Sequence, residues 1–223
     1  VVTLSIDGHV RVWSMSGALL RELDLGGAVR GGYRIPSAAL FLAWTSSSLY
    51  MCSTNSETPP RLIWQSDTGV RSEQIRVARL ENQGQMIIVG TRQGTVYVID
   101  AESGSELKRI TTEDILVDLD LSPDGTQIAL ASRDHTVSTY DLAIGAKRAT
   151  FIGHSGSVWS VRFAPAGDLL LSASLDGTAK LWEPTASPTP YRVAFGEGDI
   201  WLSALALSPV ASIAATGSFD GVV

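Results

Sequence analysis

Cysteine and histidine are scarce in this chain, which limits the chemistry that it can carry. Its 223 residues contain one cysteine and three histidines. A single cysteine, Cys52, excludes an intrachain disulfide and any multi-cysteine metal site, and we expect it to be a small buried side chain. The three histidines have no metal-ligand spacing, so the sequence predicts neither a metal site nor a cofactor. The cysteine content is compatible with a cytoplasmic or nuclear location and assigns neither.

The motifs of common catalytic sites are also missing. Gly196-Glu197-Gly198 lacks the third glycine and the following helix of a dinucleotide-binding fingerprint, and there is no phosphate loop ending in Gly-Lys-Ser or Gly-Lys-Thr. The serines are numerous, but none lies in a nucleophile-elbow pattern. The sequence therefore predicts that this chain is not an enzyme.

Charged residues make up 18% of the chain, hydrophobic residues 44%, and the net charge is −6. This balance predicts a globular chain and disfavours broad electrostatic binding of nucleic acid. No apolar run approaches the ~18 residues of a membrane span, and no stretch has a helical period.

What the chain does have is a repeat. Residues 153–183 read GHSGSVWSVRFAPAGDLLLSASLDGTAKLWE, and weaker copies recur about every forty residues. Asp176 precedes Trp182 by six residues, as Asp7 precedes Trp13. Three further pairs keep this spacing, and one more marker opens a sixth copy: Thr58 with Trp64, Gln93 with Ile99, Asp134 with Tyr140, and Asp220. Such a period indicates a repeat architecture, whose function lies on its surfaces.

Each copy has the same order of short apolar runs and turns. In the fifth copy the runs are 158–163, 169–174, 179–182 and 191–195, and they alternate with period two, which is typical of strands. Asp176-Gly177 and Asp7-Gly8 are hairpin turns. The repeating unit is therefore predicted to contain four short strands.

These residues resemble the WD-repeat β-propeller family, whose blade has a Gly-His pair near its start and a Trp-Asp pair near its end. The fifth copy has Gly153-His154 and Trp182, with Glu183 in place of the final aspartate. The resemblance implies a buried hydrogen-bonded set within the blade, formed by His154, Ser172 or Ser174, Asp176 and Trp182. A buried carboxylate at a tight turn needs donors, which an imidazole and a hydroxyl supply.

The predicted fold class is all-β, a β-propeller of four-stranded antiparallel blades that forms one domain. The expected blade segments are 1–25, 38–76, 77–112, 115–152, 153–196 and 197–223. They amount to about five blades. Because both ends fall within blades, we expect a partial ring that a longer polypeptide completes to about seven blades. The alternative is that another chain supplies the closing strands.

The repeat register predicts a surface for partners. In related propellers partners often dock where the second-to-third-strand turns protrude. The residues expected there are Ile6, Glu57, Arg92, Arg133, Leu175 and Phe219 before the turn markers, with Leu40, Arg76, Val117, Trp159 and Ser203 early in the first strands. Tryptophan and arginine favour an acidic or phosphorylated peptide as the ligand. The competing interpretation is that Trp159 packs between blades and the arginines are solvated.

Two carboxylates of the fourth copy form another candidate. Strand alternation puts Asp118 and Asp120 on one face, where they could bind a cation or partner, although a solvated face is the interpretation that we favour.

The predicted function is a non-catalytic scaffold for protein–protein interaction, a subunit or module of a larger assembly that binds partner peptides on one propeller face. The alternative is a regulatory or sensing propeller fused to a kinase or NTPase domain outside this segment. A propeller enzyme or nucleic-acid reader would need a channel cluster of ligands or a strongly basic face, and neither is visible in the sequence.

Overall fold

The structure is a computed structural model, and it describes residues 1–35, 38–55, 57–66, 74–81, 84–112, 115–184, 187–195, 201–207 and 214–218. These residues form twenty-one β-strands, with no helix among them. The chain divides into two compact units, unit 1 (Val1–Thr112) and unit 2 (Glu113–Val223). In every sheet, strands that follow one another in the chain pair antiparallel.

The described residues of unit 1 form three sheets. Sheet 1 has three strands, and sheets 2 and 3 have four each. Sheet 1 comprises β1 (Val2–Leu4), β2 (His9–Trp13) and β3 (Leu19–Asp24). Sheet 2 comprises β4 (Gly31–Arg34), β5 (Leu40–Trp44), β6 (Ser48–Ser53) and β7 (Arg61–Gln65). Sheet 3 comprises β8 (Ile75–Leu80), β9 (Met86–Thr91), β10 (Thr95–Asp100) and β11 (Glu106–Thr111).

The described part of unit 2 also forms three sheets, of which sheets 4 and 5 have four strands and sheet 6 has two. Sheet 4 comprises β12 (Leu116–Leu121), β13 (Gln127–Ser132), β14 (Thr136–Asp141) and β15 (Lys147–Ile152). Sheet 5 comprises β16 (Val158–Phe163), β17 (Leu170–Ser174), β18 (Ala179–Glu183) and β19 (Ser187–Phe195). Sheet 6 comprises β20 (Leu202–Leu207) and β21 (Ala214–Ser218). The predicted all-β fold of four-stranded antiparallel blades is confirmed, while the number of blades in a complete ring stays a prediction.

The hydrophobic cores lie between adjacent sheets of one unit. In unit 2, Leu170 packs with Val137 and Phe151 of sheet 4. The next residue, Leu171, belongs to the core shared with Leu205 of sheet 6. Because side chains alternate along a strand, a strand between two cores buries both faces. This explains why the repeat reads as nearly continuous apolar runs.

Sheet 2 begins earlier than the sequence predicted. Its first strand, β4, precedes the expected start at residue 38, and Leu40 opens the second strand. The turn between the second and third strands therefore lies at Thr45, whose hydroxyl accepts a hydrogen bond from the Ser48 amide at 3.1 Å. The prediction of Thr58 as the turn marker of this copy was wrong, as were the placement of Glu57 at that turn and of Leu40 on a first strand.

β4 is hard to recognise in the sequence because the strand begins with two glycines and has no apolar alternation. Gly31 is needed where the indole of Trp44 crosses the backbone, since a Cβ on this residue would lie 2.4 Å from Trp44 Cζ2. The strand is thus specified by packing against an aromatic ring of its neighbour rather than by its own pattern.

Candidate functional site

Sheet 5 brings together the four residues of the predicted hydrogen-bonded set. His154 precedes β16, Ser172 lies in β17, Asp176 lies in the β17–β18 turn, and Trp182 lies in β18. The imidazole Nδ1 lies 2.8 Å from Asp176 Oδ2, and its Nε2 lies 2.8 Å from Ser172 Oγ. Trp182 Nε1 donates to the same Ser172 oxygen at 2.8 Å. The set forms a continuous chain from indole to carboxylate.

The chemistry of the donors fixes the proton positions along this chain. An indole N–H can only donate, so Ser172 Oγ accepts from Trp182 and its own hydroxyl proton goes to His154 Nε2. The imidazole proton then lies on Nδ1 and is donated to Asp176. With His154 neutral and Asp176 ionised, each hydrogen bond of this set has one donor and one acceptor.

The electrostatics agree with these protonation states. Burial lowers the pKa of His154 and outweighs the opposing effect of Asp176. Burial raises the pKa of Asp176. Hydrogen bonds from Thr178, His154 and the Ser155 amide have the opposite and larger combined effect, and they lower this pKa to about 2. A neutral imidazole beside a carboxylate is therefore the stable state near neutral pH.

A carboxylate, an imidazole and a hydroxyl in series also occur in acyl-transfer enzymes, but this arrangement cannot attack a substrate. Ser172 is completely buried, and its oxygen already accepts the Trp182 proton. A nucleophile needs access to the reacting carbonyl. The set therefore ties the strands of sheet 5 together.

Ser174, the alternative to Ser172 in this set, has a different role. Its hydroxyl donates to the Gly156 carbonyl at 2.9 Å and accepts from the Asp176 amide at 3.1 Å. It thus connects the loop before β16 to the β17–β18 turn.

The turns that follow the second strands are equivalent in three sheets. In each, the first turn residue donates its amide hydrogen to the carbonyl of the residue just before the first strand. The three bonds are Arg92 to Gln74 at 2.8 Å, Arg133 to Ile115 at 3.1 Å and Leu175 to Ser157 at 3.0 Å. These turns therefore lie beside the starts of the first strands, at one end of each sheet.

A β-bulge recurs in the first strand of four sheets. The register shifts around one residue in each, and these residues are Arg76, Val117, Trp159 and Ser203. They are the residues that the sequence placed early in the first strands. A bulge takes a residue out of the regular ladder and re-aims its side chain.

In unit 2 the structure groups three of the predicted partner-binding residues around Ser157. The Ser157 hydroxyl donates to the Arg133 carbonyl at 3.2 Å, and its own carbonyl accepts from Leu175. Trp159 follows two residues later on β16. Arg133 is exposed, and Trp159 and Leu175 are half-buried. We call Arg133, Trp159 and Leu175 the turn surface.

The other predicted residues are distributed differently. Arg76 and Arg92 belong to unit 1, where both are exposed at the corresponding end of sheet 3. Phe219 lies outside the described residues.

Sequence reasoning missed two exposed apolar residues at this end of unit 2. Ile115 is 49% exposed and Trp201 is 59% exposed. Both occupy the position of Ser157, directly before the first strand of their sheet, since Leu116, Val158 and Leu202 all pair with a serine that ends the second strand. Aligning the copies on this residue would have found them.

The interpretation of Asp118 and Asp120 as a solvated face was wrong. Asp118 is buried and accepts hydrogen bonds from Ser160 Oγ at 2.9 Å and Arg162 Nη1 at 2.5 Å. Asp120 Oδ2 accepts from the Phe163 amide at 2.9 Å. Both carboxylates bind the first strand of the next sheet, so their role is to join sheets 4 and 5.

The described residues hold neither a metal-binding cluster nor a membrane-spanning helix. Within the described parts of the chain, no group of three or more histidine, cysteine, aspartate or glutamate side chains could hold a metal ion. No helix among the same residues is long and apolar enough to cross a membrane.

Comparisons with known families find repeat modules in both halves of the chain. Residues 145–183 match the model described as WD domain, G-beta repeat. Residues 40–119 match the anaphase-promoting complex subunit 4 WD40 domain.

Curated proteins with similar sequences include two from animals and one from yeast. Serine-threonine kinase receptor-associated protein of Gallus gallus is 26% identical over 66% of this chain and 43% of its own length. COMPASS component SWD3 of Saccharomyces cerevisiae is 28% identical over 66% of this chain and 46% of its own length. Apoptotic protease-activating factor 1 of Danio rerio is 30% identical over 58% of this chain and 10% of its own length. The chain thus spans less than half the length of each of these relatives.

Proposed function

Because this chain belongs to the WD-repeat family, we propose that it is a non-catalytic interaction module of a larger protein assembly, which binds a partner peptide on the turn surface. Its WD-repeat relatives suggest a scaffold role, and one of them is named as a component of COMPASS. The observation that carries the proposal is that the Arg133 carbonyl and the Leu175 amide are both hydrogen-bonded to Ser157, two residues before Trp159.

The make-up of the turn surface supports a peptide ligand. Tryptophan and arginine are the residue types most enriched among interface hot spots. Trp159 lies on a β-bulge, and bulges are common beside binding sites because they re-aim a side chain. Exposed Ile115 and Trp201 extend the apolar area at equivalent positions of sheets 4 and 6. A partner that covers this area with its own apolar side chains removes apolar surface from water, and this stabilises the complex.

An acidic or phosphorylated residue in the partner is supported by Arg133. Its guanidinium is exposed and offers a planar pair of donors that matches two oxygens of a carboxylate or phosphate. A nucleic-acid ligand is disfavoured by the net charge of −6.

The test uses three pools of degenerate peptides that differ only at a central residue, which is phosphoserine, glutamate or serine. We expect the chain to retain the first two pools in preference to the third. Because Arg133→Glu reverses the charge and Trp159→Ala removes the anchor, each should weaken this binding at least tenfold. Arg34→Glu, an exposed change in unit 1, is the matched control. If both variants bind the peptides as the unmodified chain does, the turn surface is not the peptide-binding site.

The second candidate is a regulatory or sensing module within a longer polypeptide. It is favoured by the match to apoptotic protease-activating factor 1, where the aligned region makes up 10% of that protein. Sequencing the flanking coding region tests this candidate. A kinase or NTPase motif in the same reading frame would support it. A reading frame without such a motif would contradict it and favour the scaffold function.

A further inference from the structure

One turn of unit 2 has a backbone conformation that its residue type rarely adopts. His135 has φ of 76°, and it is the one non-glycine residue with positive φ in the described part of the chain. The equivalent turns of three other sheets have glycine at this position: Gly8 at 94°, Gly94 at 86° and Gly177 at 76°. A Cβ makes this left-handed conformation unfavourable, whereas glycine adopts it without strain.

The turn itself does not use the imidazole. The carboxylate of Asp134 points back into the turn, where its Oδ1 accepts from the Thr136 amide at 2.8 Å and from the Thr136 hydroxyl at 2.7 Å. The Asp134 amide in turn donates to Ser132 Oγ at 3.2 Å. These bonds hold the turn whatever side chain follows Asp134. A strained residue that adds nothing to its own turn points to a role outside the fold.

The position of His135 indicates which role. It is exposed and lies two residues after exposed Arg133, on the same turn. This turn lies beside the loop before β16, because the hydroxyl of Ser157 in that loop donates to the Arg133 carbonyl at 3.2 Å. That loop carries the exposed hydroxyl of Ser155, whose amide is already bound to Asp176 at 2.9 Å.

We propose that Arg133 and His135 form a phosphate-binding pair, with Ser155 as a third donor, that receives a phosphorylated serine or threonine of the partner. This inference rests on the proposed function and names the chemistry of its ligand. A phosphate fits three separate donors better than a carboxylate does, because it presents three acceptor oxygens and close to two negative charges. The imidazole supplies an N–H donor in its neutral form as well as in its charged form.

The experiment measures stability and binding on the same variants of the chain. His135→Gly should raise Tm by about 3 °C, because it removes the strain at φ 76°. It should also weaken retention of the phosphoserine pool about tenfold relative to the glutamate pool. His135→Asn tolerates the same backbone conformation and should lose the phosphate preference without a large change in Tm. Gly8→His is the matched control, which should lower Tm and leave binding unchanged.

The outcomes separate this inference from the function on which it rests. If the unmodified chain retains none of the three pools, the proposed function fails. If it retains phosphoserine peptides through Arg133 and Trp159 but His135→Gly binds them equally well, the peptide site stands and the phosphate pair is overturned. A selective loss of the phosphoserine preference in both His135 variants supports the pair.

Discussion

The carboxylate of Asp118 in β12 accepts a hydrogen bond from the hydroxyl of Ser160 in β16, 42 residues later, at 2.9 Å. The same oxygen lies 3.4 Å from the Val161 amide and 2.5 Å from Arg162 Nη1. β16 is the edge strand of sheet 5, so its outward amides have no neighbouring strand within that sheet. Buried amides without partners are costly, and the carboxylates of sheet 4 supply the acceptors.

We expect Asp118→Ala to destabilise unit 2. The change removes an acceptor that the Ser160 hydroxyl, the Val161 amide and the Arg162 guanidinium share, which should cost about 2–4 kcal/mol. Urea unfolding followed by tryptophan fluorescence measures the effect. Asp168→Ala, an exposed change in the β16–β17 turn, is the control and should alter stability by less than about 0.5 kcal/mol. Equal midpoints for the two variants would show that water replaces the carboxylate.

Ser172 and Trp182 should behave as one unit. Ser172→Ala deprives both Trp182 Nε1 and His154 Nε2 of a partner, and Trp182→Phe removes the donor to Ser172. We expect each change to cost about 2–3 kcal/mol. The double variant should cost clearly less than the sum, because the second change removes a group that is already unpaired. A double-mutant cycle by urea unfolding measures this coupling, and strict additivity would contradict it.

Acid should destabilise sheet 5 through His154 before it does so through Asp176. Burial holds the pKa of His154 below its ordinary 6.5, so the unfolded chain binds the proton first and stability falls as the pH drops below about 6.5. The pKa of Asp176 is about 2 against an ordinary 3.8, so its contribution is lost between these values.

Calorimetry between pH 7.5 and 5 tests the histidine part. The Tm of the unmodified chain should fall over this range, and His154→Gln, which has no titrating group at this position, should show a smaller fall. A Tm that stays level or rises on acidification would mean that the carboxylate of Asp176 outweighs burial.

Cys52 should be unreactive in the folded chain. It is buried in the core between sheets 1 and 2, and burial raises the pKa of its thiol to about 12, against a smaller lowering effect of Arg21. The thiolate is the reactive form and is nearly absent at pH 8. Iodoacetamide labelling followed by mass spectrometry should therefore modify Cys52 only after urea unfolding. Rapid labelling of the native chain would contradict the burial.

The amino-acid sequence by itself determined the strand-and-turn unit, its spacing and the family. These features depend on period-two alternation and on residues such as Asp176 and Gly177, which act on their own hairpin. It also named the members of the hydrogen-bonded set, but it left Ser172 and Ser174 as alternatives. They lie two residues apart on the same strand, and only their distances to His154 and to Gly156 distinguish them.

The tertiary structure decided the features that depend on contacts between residues far apart in the sequence. It placed Asp118 and Asp120 against β16, added β4 to sheet 2 beneath Trp44, and brought Arg133 and Leu175 to Ser157. These partners lie between 13 and 43 residues apart in the sequence, so no local pattern records them. The physical reason is that side-chain alternation specifies which face of a strand is buried, whereas the neighbour that covers that face is set only when the sheets pack.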